Sequence, residues 1–381
     1  MMRFSKLWRY GRILASPRFV ASVRGSRRNI LAANSGHPPV SGPYMAELDV
    51  TYRCNCRCKM CRRWQDPRTE VLTLTDYRHL AGVFHDLGVY QVSIAGGEPL
   101  LREDIFGIID GFARQGMSVN LCTNGTLLEK YADDLCRSGV SCVTVSLDGS
   151  TAQTHETIRG MPGDYQKIEG GIGRLMARPF RQRPMVRVRM VVCDLNVEEI
   201  PDYFDQWATR VDDVLIQPVH HCKDAFYTGN DREVFELDGE SLIRQLDGHP
   251  LGRGIFVKPL LKSLKKSGVF PQNRCYAGML MVRIDPWGNV YPCLEQHVCV
   301  GSIRDSDFFT IWNSASFNDA RSAMLQDRTC NCWYNNTAMI GHSAKWLYRT
   351  TPKGLLNGVN RTKEKGAHPF KSAPSSVSPR Q

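Results

Sequence analysis

The sequence predicts an α/β chain whose largest domain is a partial (β/α)6 TIM-like barrel. Between residues 46 and 219, six short apolar or β-branched runs alternate with five segments of helical period. Strands that alternate with helices form a parallel sheet with crossover connections. In such barrels the chemistry lies on the loops that follow the strands, and a cysteine-rich and a glycine-rich motif follow the first two runs here.

The apolar runs and helical segments define the order of the elements. The predicted strands cover 46–50, 89–95, 118–122, 142–147, 186–192 and 214–219, and the predicted helices cover 76–87, 104–115, 127–138, 165–178 and 198–209. Thr75 and Asn196 lie near helix starts, where a side-chain oxygen can cap the first turn. After residue 250 the pattern changes, and two alternating runs around the turn at 285–288 predict a β-hairpin.

Length and composition limit the class of protein. A chain of 381 residues with 42% apolar and 23% charged residues favours a globular protein with one large domain and an appendage. No apolar run reaches the length of about 18 residues that a membrane-spanning helix needs, and the N-terminus lacks a secretory signal. Fourteen cysteines without an export signal favour metal binding in a reducing compartment. We therefore expect a cytoplasmic protein.

The positive charge is concentrated at the two ends of the chain. Residues 1–46 hold eight Lys and Arg and no acid, and residues 341–381 hold eight with one acid, so the body is slightly acidic. A nucleic-acid enzyme more often has a basic body, and we expect no nucleic-acid partner. Basic ends with apolar residues between the charges fit peripheral membrane contact at the cytoplasmic face or a docking helix, with solvated tails as the alternative.

Four thiols follow the first predicted strand. Cys54, Cys58 and Cys61 have the spacing C-x3-C-x2-C, and Cys56 lies between them. A structural zinc site usually closes with four ligands, often as two C-x2-C pairs, and the second pair is absent nearby. Three thiolates would instead leave one iron of a four-iron cluster open. On spacing alone, a zinc site and a reactive cluster both remain open.

These thiols and a second motif resemble the signature of the radical S-adenosylmethionine (SAM) enzymes. The second motif, AGGEP at 95–99, ends the second predicted strand. The resemblance implies that Cys54, Cys58 and Cys61 hold a [4Fe–4S] cluster whose fourth iron binds SAM, and it leaves Cys56 as a buried packing residue. Reductive cleavage of SAM then yields a 5′-deoxyadenosyl radical, which abstracts a hydrogen from the substrate.

The resemblance also implies which residues bind SAM. Glu98 would accept a hydrogen bond from the SAM ammonium, and the two glycines before it would let the backbone approach the ligand. Turn, cap or surface roles are the alternatives for the single polar residues. The implied set is Gly96, Gly97, Glu98, Pro99, Asn124, Ser146, Asp148, Arg159 and Asn196.

The sixth predicted strand ends in QPVHH, which brings polar side chains to the barrel mouth. Gln217, His220 and His221 should point to the place where a substrate would bind, and Tyr227 lies nearby. Structural roles are the alternative for each of them. His220, His221 and Tyr227 are therefore the candidate catalytic residues.

The cysteines after residue 274 resemble the SPASM or twitch extension of the same superfamily, which houses auxiliary Fe–S clusters. The C-x-C spacing of the last pair departs from the expected C-x2-C, so Cys299 is an alternative ligand and a zinc knuckle remains open. The resemblance implies a second [4Fe–4S] cluster, with five cysteines favouring one auxiliary cluster rather than two. Its implied ligands are Cys275, Cys293, Cys330 and Cys332.

Together these patterns predict a radical SAM enzyme with five segments. They are a basic helical N-terminus (1–45), the radical SAM core (46–220), a bridging region (221–274), the SPASM/twitch-like domain (275–340), and a basic C-terminal helix with a disordered tail (341–381). We expect dehydrogenation, epimerisation or rearrangement of a small-molecule or lipid-linked substrate, with a flavodoxin- or ferredoxin-type electron donor. The alternative is a peptide- or protein-modifying maturase with a separate recognition partner. The intact cysteine and Glu98 set argues against a non-enzymatic Fe–S scaffold.

Overall fold

The computed structural model describes residues 16–219, 237–254, 257–267, 275–294 and 298–327. The strands are β1 (Met45–Thr51), β2 (Gln91–Gly96), β3 (Ser118–Thr123), β4 (Cys142–Ser146), β5 (Met185–Val192), β6 (Asp213–Pro218), β7 (Met281–Ile284), β8 (Asn289–Tyr291) and β9 (Gly301–Ser302). They form one sheet in the order β6-β5-β4-β3-β2-β1-β7-β8-β9. The first six strands are parallel, which confirms the predicted α/β class.

The described residues form twelve α-helices, and those between the parallel strands follow the predicted order with one addition. They are α1 (Pro17–Asn34), α2 (Leu74–Asp86), α3 (Ile105–Arg114), α4 (Leu128–Arg137), α5 (Ala152–Arg159), α6 (Asp164–Met176), α7 (Ile200–Trp207), α8 (Gly239–Leu246), α9 (Val257–Ser267), α10 (Ala277–Leu280), α11 (Phe308–Asn313) and α12 (Ala315–Gln326). The cap assigned to Thr75 is wrong, because Thr73 caps α2 in a reciprocal capping box with Asp76. Helix α5 is the addition between the strands.

The two faces of the parallel strands have different chemistry. Buried and half-buried residues alternate along β3 and β5, as expected when one face packs under helices and the other lines an interior space. The outer face joins helix residues such as Phe84 and Trp207 in the main core. The inner face is polar: Asn120 Nδ2 donates to Ser93 Oγ at 3.2 Å, and Thr144 Oγ1 donates to Asn120 Oδ1 at 2.8 Å. A polar interior therefore lies below the carboxyl ends of the strands.

The C-terminal extension continues the barrel sheet. Strand β7 pairs in parallel with β1, and β8 and β9 follow as antiparallel strands. The hairpin predicted around 285–288 is confirmed, with Gly288 at φ +91° in its turn. Its Trp287 packs edge-on against Tyr52 with ring centroids 5.0 Å apart, and Trp287 Nε1 donates to Thr69 O at 2.8 Å. The extension thus contacts the loop region that follows β1.

Helix α1 docks on the barrel. Arg18 donates to Val89 O at 2.9 Å and to Gln115 O at 2.7 Å, and Asn29 Nδ2 donates to Met279 O at 3.0 Å. This part of the basic N-terminus therefore behaves as a docking helix, while residues 1–15 and 341–381 lie outside the described residues. No helix in the described ranges is both long and apolar enough to span a bilayer.

Candidate active site

The cysteine loop follows β1 and lies over the carboxyl ends of the parallel strands. Cys54, Cys56, Cys58 and Cys61 all line one cavity of about 1100 Å³, part of which is open to solvent. Cys56 and Cys58 are buried, and the other two thiols are partly exposed. The three thiols of the predicted spacing therefore share a single space with the fourth.

Gly96 and Gly97 hold the end of β2 against the cysteine loop. A Cβ on Gly96, whose φ is +131°, would lie 2.2 Å from Thr51 O, and a Cβ on Gly97 would lie 2.2 Å from Arg53 O. Gly97 N–H donates to Thr51 O at 2.7 Å. Because only glycine fits at both positions, the glycine motif serves the backbone of the loop itself as well as an approaching ligand.

The C-terminal end of α5 supports the cysteine loop from the other side. Arg57 N–H donates to Arg159 O at 3.1 Å. Arg159 Nε lies 2.6 Å from Asp148 Oδ2, and its Nη1 lies 3.7 Å from Cys58 Sγ. The fully buried Asp148 carboxylate therefore holds a guanidinium beside one of the thiols.

The thiols of the loop differ in pKa because they bond to one another. A hydrogen bond from Cys56, and then the charge of Arg159, lower the pKa of Cys58 to about 6 against the opposing effect of burial. The bond from Cys56 also lowers the pKa of Cys54, while bonds to both neighbours and burial raise the pKa of Cys56. Cys56 is therefore the protonated donor between two thiols of lowered pKa, whereas burial and then the charge of Cys58 raise the pKa of Cys61 to about 12. The pKa directions alone thus do not single out the three thiols of the predicted spacing.

Replacing Cys56 by Ala is expected to leave the iron content unchanged. Cys56 is 1% exposed and packs with Met60, Ile158 and Cys193, so the substitution removes packing and a donor but no ligand. The small cavity should cost about 1 kcal/mol of unfolding free energy. Iron analysis of the anaerobically reconstituted variant measures the result, with Cys193→Ala as the packing control. A loss of about four irons would identify Cys56 as a ligand instead.

Glu98 anchors the turn after β3. Its carboxylate accepts hydrogen bonds from Leu100 N at 3.0 Å, Thr123 Oγ1 at 2.8 Å and Asn124 N at 2.7 Å. Burial raises the pKa of Glu98 to about 7, although these donors and Arg159 oppose the rise. The side chain is fully buried and does not line the cavity, so the expected bond to the SAM ammonium stays a prediction.

Asn124 joins this turn to the cysteine loop. Its Nδ2 donates to Asn55 Oδ1 at 2.7 Å and lies 3.9 Å from Cys54 Sγ, while its Oδ1 accepts from Thr126 N at 3.0 Å. Asn124 and Ser146 both line the cavity. Asn124 therefore stabilises the turn after β3 and also lines the cavity, so the turn role does not exclude contact with a ligand.

The other implied SAM-binding residues lie behind the cavity wall. Asp148 and Asn196 are 0% and 1% exposed, and Asn196 Nδ2 donates to Asp148 O at 3.0 Å and to Val191 O at 2.9 Å. Pro99 is buried at the start of the turn after β2. These three residues support the wall, and their contact with SAM stays a prediction.

Several predicted site residues fall outside the described ranges. They are His220, His221, Tyr227, Cys330 and Cys332. Of the remaining cysteines in the extension, Cys293 is buried and Cys275 packs beside it in one apolar cluster. Cys299 is exposed, with its Sγ 3.3 Å from Gly301 O. The auxiliary ligand set therefore stays a prediction.

Arg63 is a site residue that the sequence analysis missed. Its Nη1 lies 2.9 Å from Asp49 Oδ1, with the two side chains 3% and 0% exposed, and it donates to Gly96 O at 3.0 Å. The guanidinium also lies 5.2 Å from the centre of the Tyr52 ring. Arg63 thus ties β1 to the glycine motif. An acid in a predicted strand was the one sequence signal for it.

The donor set fits an Fe–S cluster. Such clusters are held by cysteine thiolates, and in a cubane each cysteine binds a different iron, so the sulfurs need not converge on one ion. Within the described residues, no three Cys, His, Asp or Glu side chains converge on a single metal position. Cys54, Cys58 and Cys61 would hold the cluster at the edge where the glycine motif approaches.

A buried carboxylate lies in the floor of the cavity. Glu47 on β1 is 4% exposed and makes no direct hydrogen bond or ion pair with any described residue. Burial, and then the charge of Asp49, raise its pKa to about 7, although Arg63, Arg283 and Arg189 oppose the rise. The ionised form is therefore costly in the folded protein.

Replacing Glu47 by Gln is expected to stabilise the cluster-free protein increasingly as the pH rises. The folded-state pKa of about 7 exceeds the ordinary 4.5, so the folded state keeps a proton that the unfolded state loses, and wild-type stability falls across this window. The advantage of the variant should reach about 3 kcal/mol above pH 7. Urea unfolding at pH 4.5 and pH 8 measures it, with the exposed Asp110→Asn as control. An advantage equal at both pH values would contradict this expectation.

Two stretches of the chain match known protein families. Residues 48–206 match the Radical SAM superfamily, and residues 275–333 match the iron-sulfur cluster-binding domain named SPASM. The first stretch runs from β1 to α7 and includes the cysteine loop and the glycine motif. The second includes the hairpin, Cys275 and Cys293.

Individual relatives are similar over most of the chain. The AdoMet-dependent heme synthase of Methanosarcina barkeri is 27% identical over 303 residues, which are 72% of this chain and 83% of that protein. Mycofactocin maturase MftC of Mycobacterium tuberculosis is 26% identical over 328 residues, 82% of this chain and 81% of its own. Among solved structures, Streptococcus suis SuiB bound to S-adenosylmethionine has a TM-score of 0.59 at 17% identity, covering 74% of this chain and 68% of SuiB. That structural similarity establishes a shared fold.

Proposed function

Because this chain belongs to the radical SAM superfamily, we propose that it is a peptide- or protein-modifying radical SAM enzyme that acts with a separate recognition partner. The similarity to the maturase MftC over 82% of this chain and 81% of that protein carries the proposal. A Bacillus subtilis protein named for biosynthesis of the bacteriocin subtilosin, AlbA, is 26% identical over 76% of this chain and 64% of its own. SuiB, which shares the fold, has been solved with its precursor peptide SuiA.

The residues of the cavity have separate tasks in this proposal. The cluster and SAM, when bound, supply a 5′-deoxyadenosyl radical, and a flavodoxin- or ferredoxin-type protein supplies the electron. Arg159 and Asp148 hold the loop at Cys58, and Arg63 holds it against the glycine motif. Glu98 fixes the turn that carries Asn124 into the cavity.

A small-molecule substrate is the second candidate. The heme synthase of M. barkeri, 27% identical over 83% of its length, favours it. This candidate retains the small-molecule part of the expectation from sequence, whereas no relative described above is named for a lipid-linked substrate. The two candidates differ in whether protease destroys the substrate.

The test measures which cell fraction stimulates SAM cleavage. Anaerobically reconstituted, reduced protein is incubated with SAM and extract of the source organism, divided into a large-molecule fraction and a small-molecule filtrate. We expect the large-molecule fraction to stimulate 5′-deoxyadenosine formation and to lose this ability after protease treatment, which is quenched before assay. Stimulation by the filtrate alone, resistant to protease, would overturn the proposal in favour of the small-molecule candidate.

A further inference from the structure

The barrel interior below the cysteine loop carries polar groups that the proposed SAM chemistry does not use. Glu47 of β1, Arg189 of β5 and Gln217 of β6 line the same cavity as the cysteine thiols. They come from three different strands, and none belongs to the cysteine or glycine motif. A concave site with a few converging polar groups is the usual form of a ligand pocket.

Gln217 presents an acceptor that lacks a partner in the described part of the chain. The residue is 6% exposed, and its buried Oε1 receives no hydrogen bond there. A buried amide oxygen without a donor costs about 1–3 kcal/mol. Native proteins leave few such groups unsatisfied, and a ligand in the adjoining cavity can supply the missing donor.

Glu47 is a second buried acceptor without a donor in the described part of the chain, and Arg189 is a source of donors. The Glu47 carboxylate is buried in the cavity without a direct hydrogen-bond or ion-pair partner among the described residues. The guanidinium of Arg189 has five N–H groups, so it can share one with a ligand whatever else it contacts. The floor therefore offers acceptors and a donor to one bound group.

The chemistry of the three side chains selects among substrate groups. A hydrocarbon or an ester offers no hydrogen-bond donor, so it would leave both acceptors unpaired. An amide has an N–H for Gln217 or Glu47 and a carbonyl oxygen for Arg189. A hydroxyl must use one oxygen for both kinds of partner, whereas an amide presents its donor and its acceptor on separate atoms.

We propose that Glu47, Arg189 and Gln217 form a subsite that binds an amide group of the substrate, either a backbone peptide bond or a side-chain carboxamide. This inference rests on the proposed function, since a peptide substrate brings such a group with every residue. The subsite orients the substrate within the cavity that Gly96 and Arg159 also line. It is a positioning device, separate from the residues that hold the cluster.

The test uses a small amide as the probe. Equilibrium dialysis measures the binding of tritiated N-acetylglycine N-methylamide to reconstituted, SAM-loaded protein, in parallel with N-acetylsarcosine N,N-dimethylamide, which lacks any N–H. The first probe should bind at least about tenfold more tightly than the second, because only it can pair with the two acceptors. Equal binding of the two probes, or no binding of the first, would overturn the subsite without any variant.

Variants locate the binding. Gln217→Leu and Glu47→Leu should each weaken the first probe by about tenfold, whereas Thr144→Val, which removes a polar group from the barrel interior away from the cavity lining, should not. SAM affinity should be the same in Gln217→Leu and in wild type. A loss of SAM affinity would assign Gln217 to the cofactor and overturn the subsite.

The two proposals can fail separately. If protease-sensitive extract stimulates SAM cleavage but the amide probe fails, the peptide function stands and the subsite is wrong. If the probe shows the expected pattern but stimulation resists protease, the amide subsite stands and the peptide assignment fails.

Discussion

Replacing Cys54, Cys58 and Cys61 together by Ala is expected to abolish the conversion of SAM to 5′-deoxyadenosine. These thiols line one cavity, and their removal leaves only Cys56 and Cys122 in its described lining, which are too few thiols to hold three irons of a cubane. Product from reduced, anaerobically reconstituted protein is measured by liquid chromatography. Wild type should form it slowly even without substrate, and the triple variant should form none.

Iron content separates loss of the cluster from loss of the fold. Wild type should bind about eight irons and the triple variant about four, since each [4Fe–4S] cluster holds four. A control in which Cys136 and Cys142 are replaced by Ala should keep about eight, because neither thiol lines the cavity that holds the cysteine loop. Product formation by the loop variant would refute the assignment of the cluster, and zinc with almost no iron in that variant would refute the auxiliary cluster.

Replacing Arg63 by Met is expected to destabilise the protein by about 3–5 kcal/mol, because it leaves the buried Asp49 carboxylate without its partner. The substitution also removes the donor to Gly96 O, so SAM affinity should fall together with stability. Urea unfolding of the cluster-free protein and SAM binding to the reconstituted protein measure the two effects.

An exposed ion pair provides the matched control for Arg63. Arg114 lies 2.7 Å from Asp110 on the surface, with side chains 80% and 44% exposed, and Arg114→Met should leave the unfolding midpoint nearly unchanged. Combining Arg63→Met with Asp49→Leu should restore part of the stability. The single variant leaves a buried carboxylate without its partner, whereas the double variant replaces both charges by apolar side chains, which costs less free energy of unfolding. If Arg63→Met and Arg114→Met had equal effects, the buried pair would not stabilise the fold.

The barrel was predictable from sequence because its strands and helices have strong local signals. The run 118–122 lies within Ser118–Thr123, and 186–192 lies within Met185–Val192, since Val, Leu and Met there alternate with Asn and Arg. The cysteine loop and the glycine motif were likewise predictable from sequence, because each motif is defined by residues only a few positions apart.

Other features depend on contacts between distant parts of the chain. Arg63 pairs with an acid in the preceding strand, Glu98 accepts a hydrogen bond from Asn124 after β3, and Gln217 lines the same cavity as Glu47. No periodic pattern marks such contacts. The position of Glu98 behind the cavity wall was invisible for the same reason, since sequence shows that an acid is present but not which donors surround it.

The parallel pairing of β7 with β1, from Met45–Met281 to Leu48–Ile284, has a consequence for biosynthesis. During translation β1 emerges from the ribosome long before β7. The edge of β1 that pairs with β7 therefore stays unpaired until most of the chain has been synthesised. Exposed strand edges invite association with other chains. If iron binds the cysteine loop during translation, it therefore binds before β7 has completed the sheet. Fragments that stop before residue 281 should accumulate as aggregates in the cell.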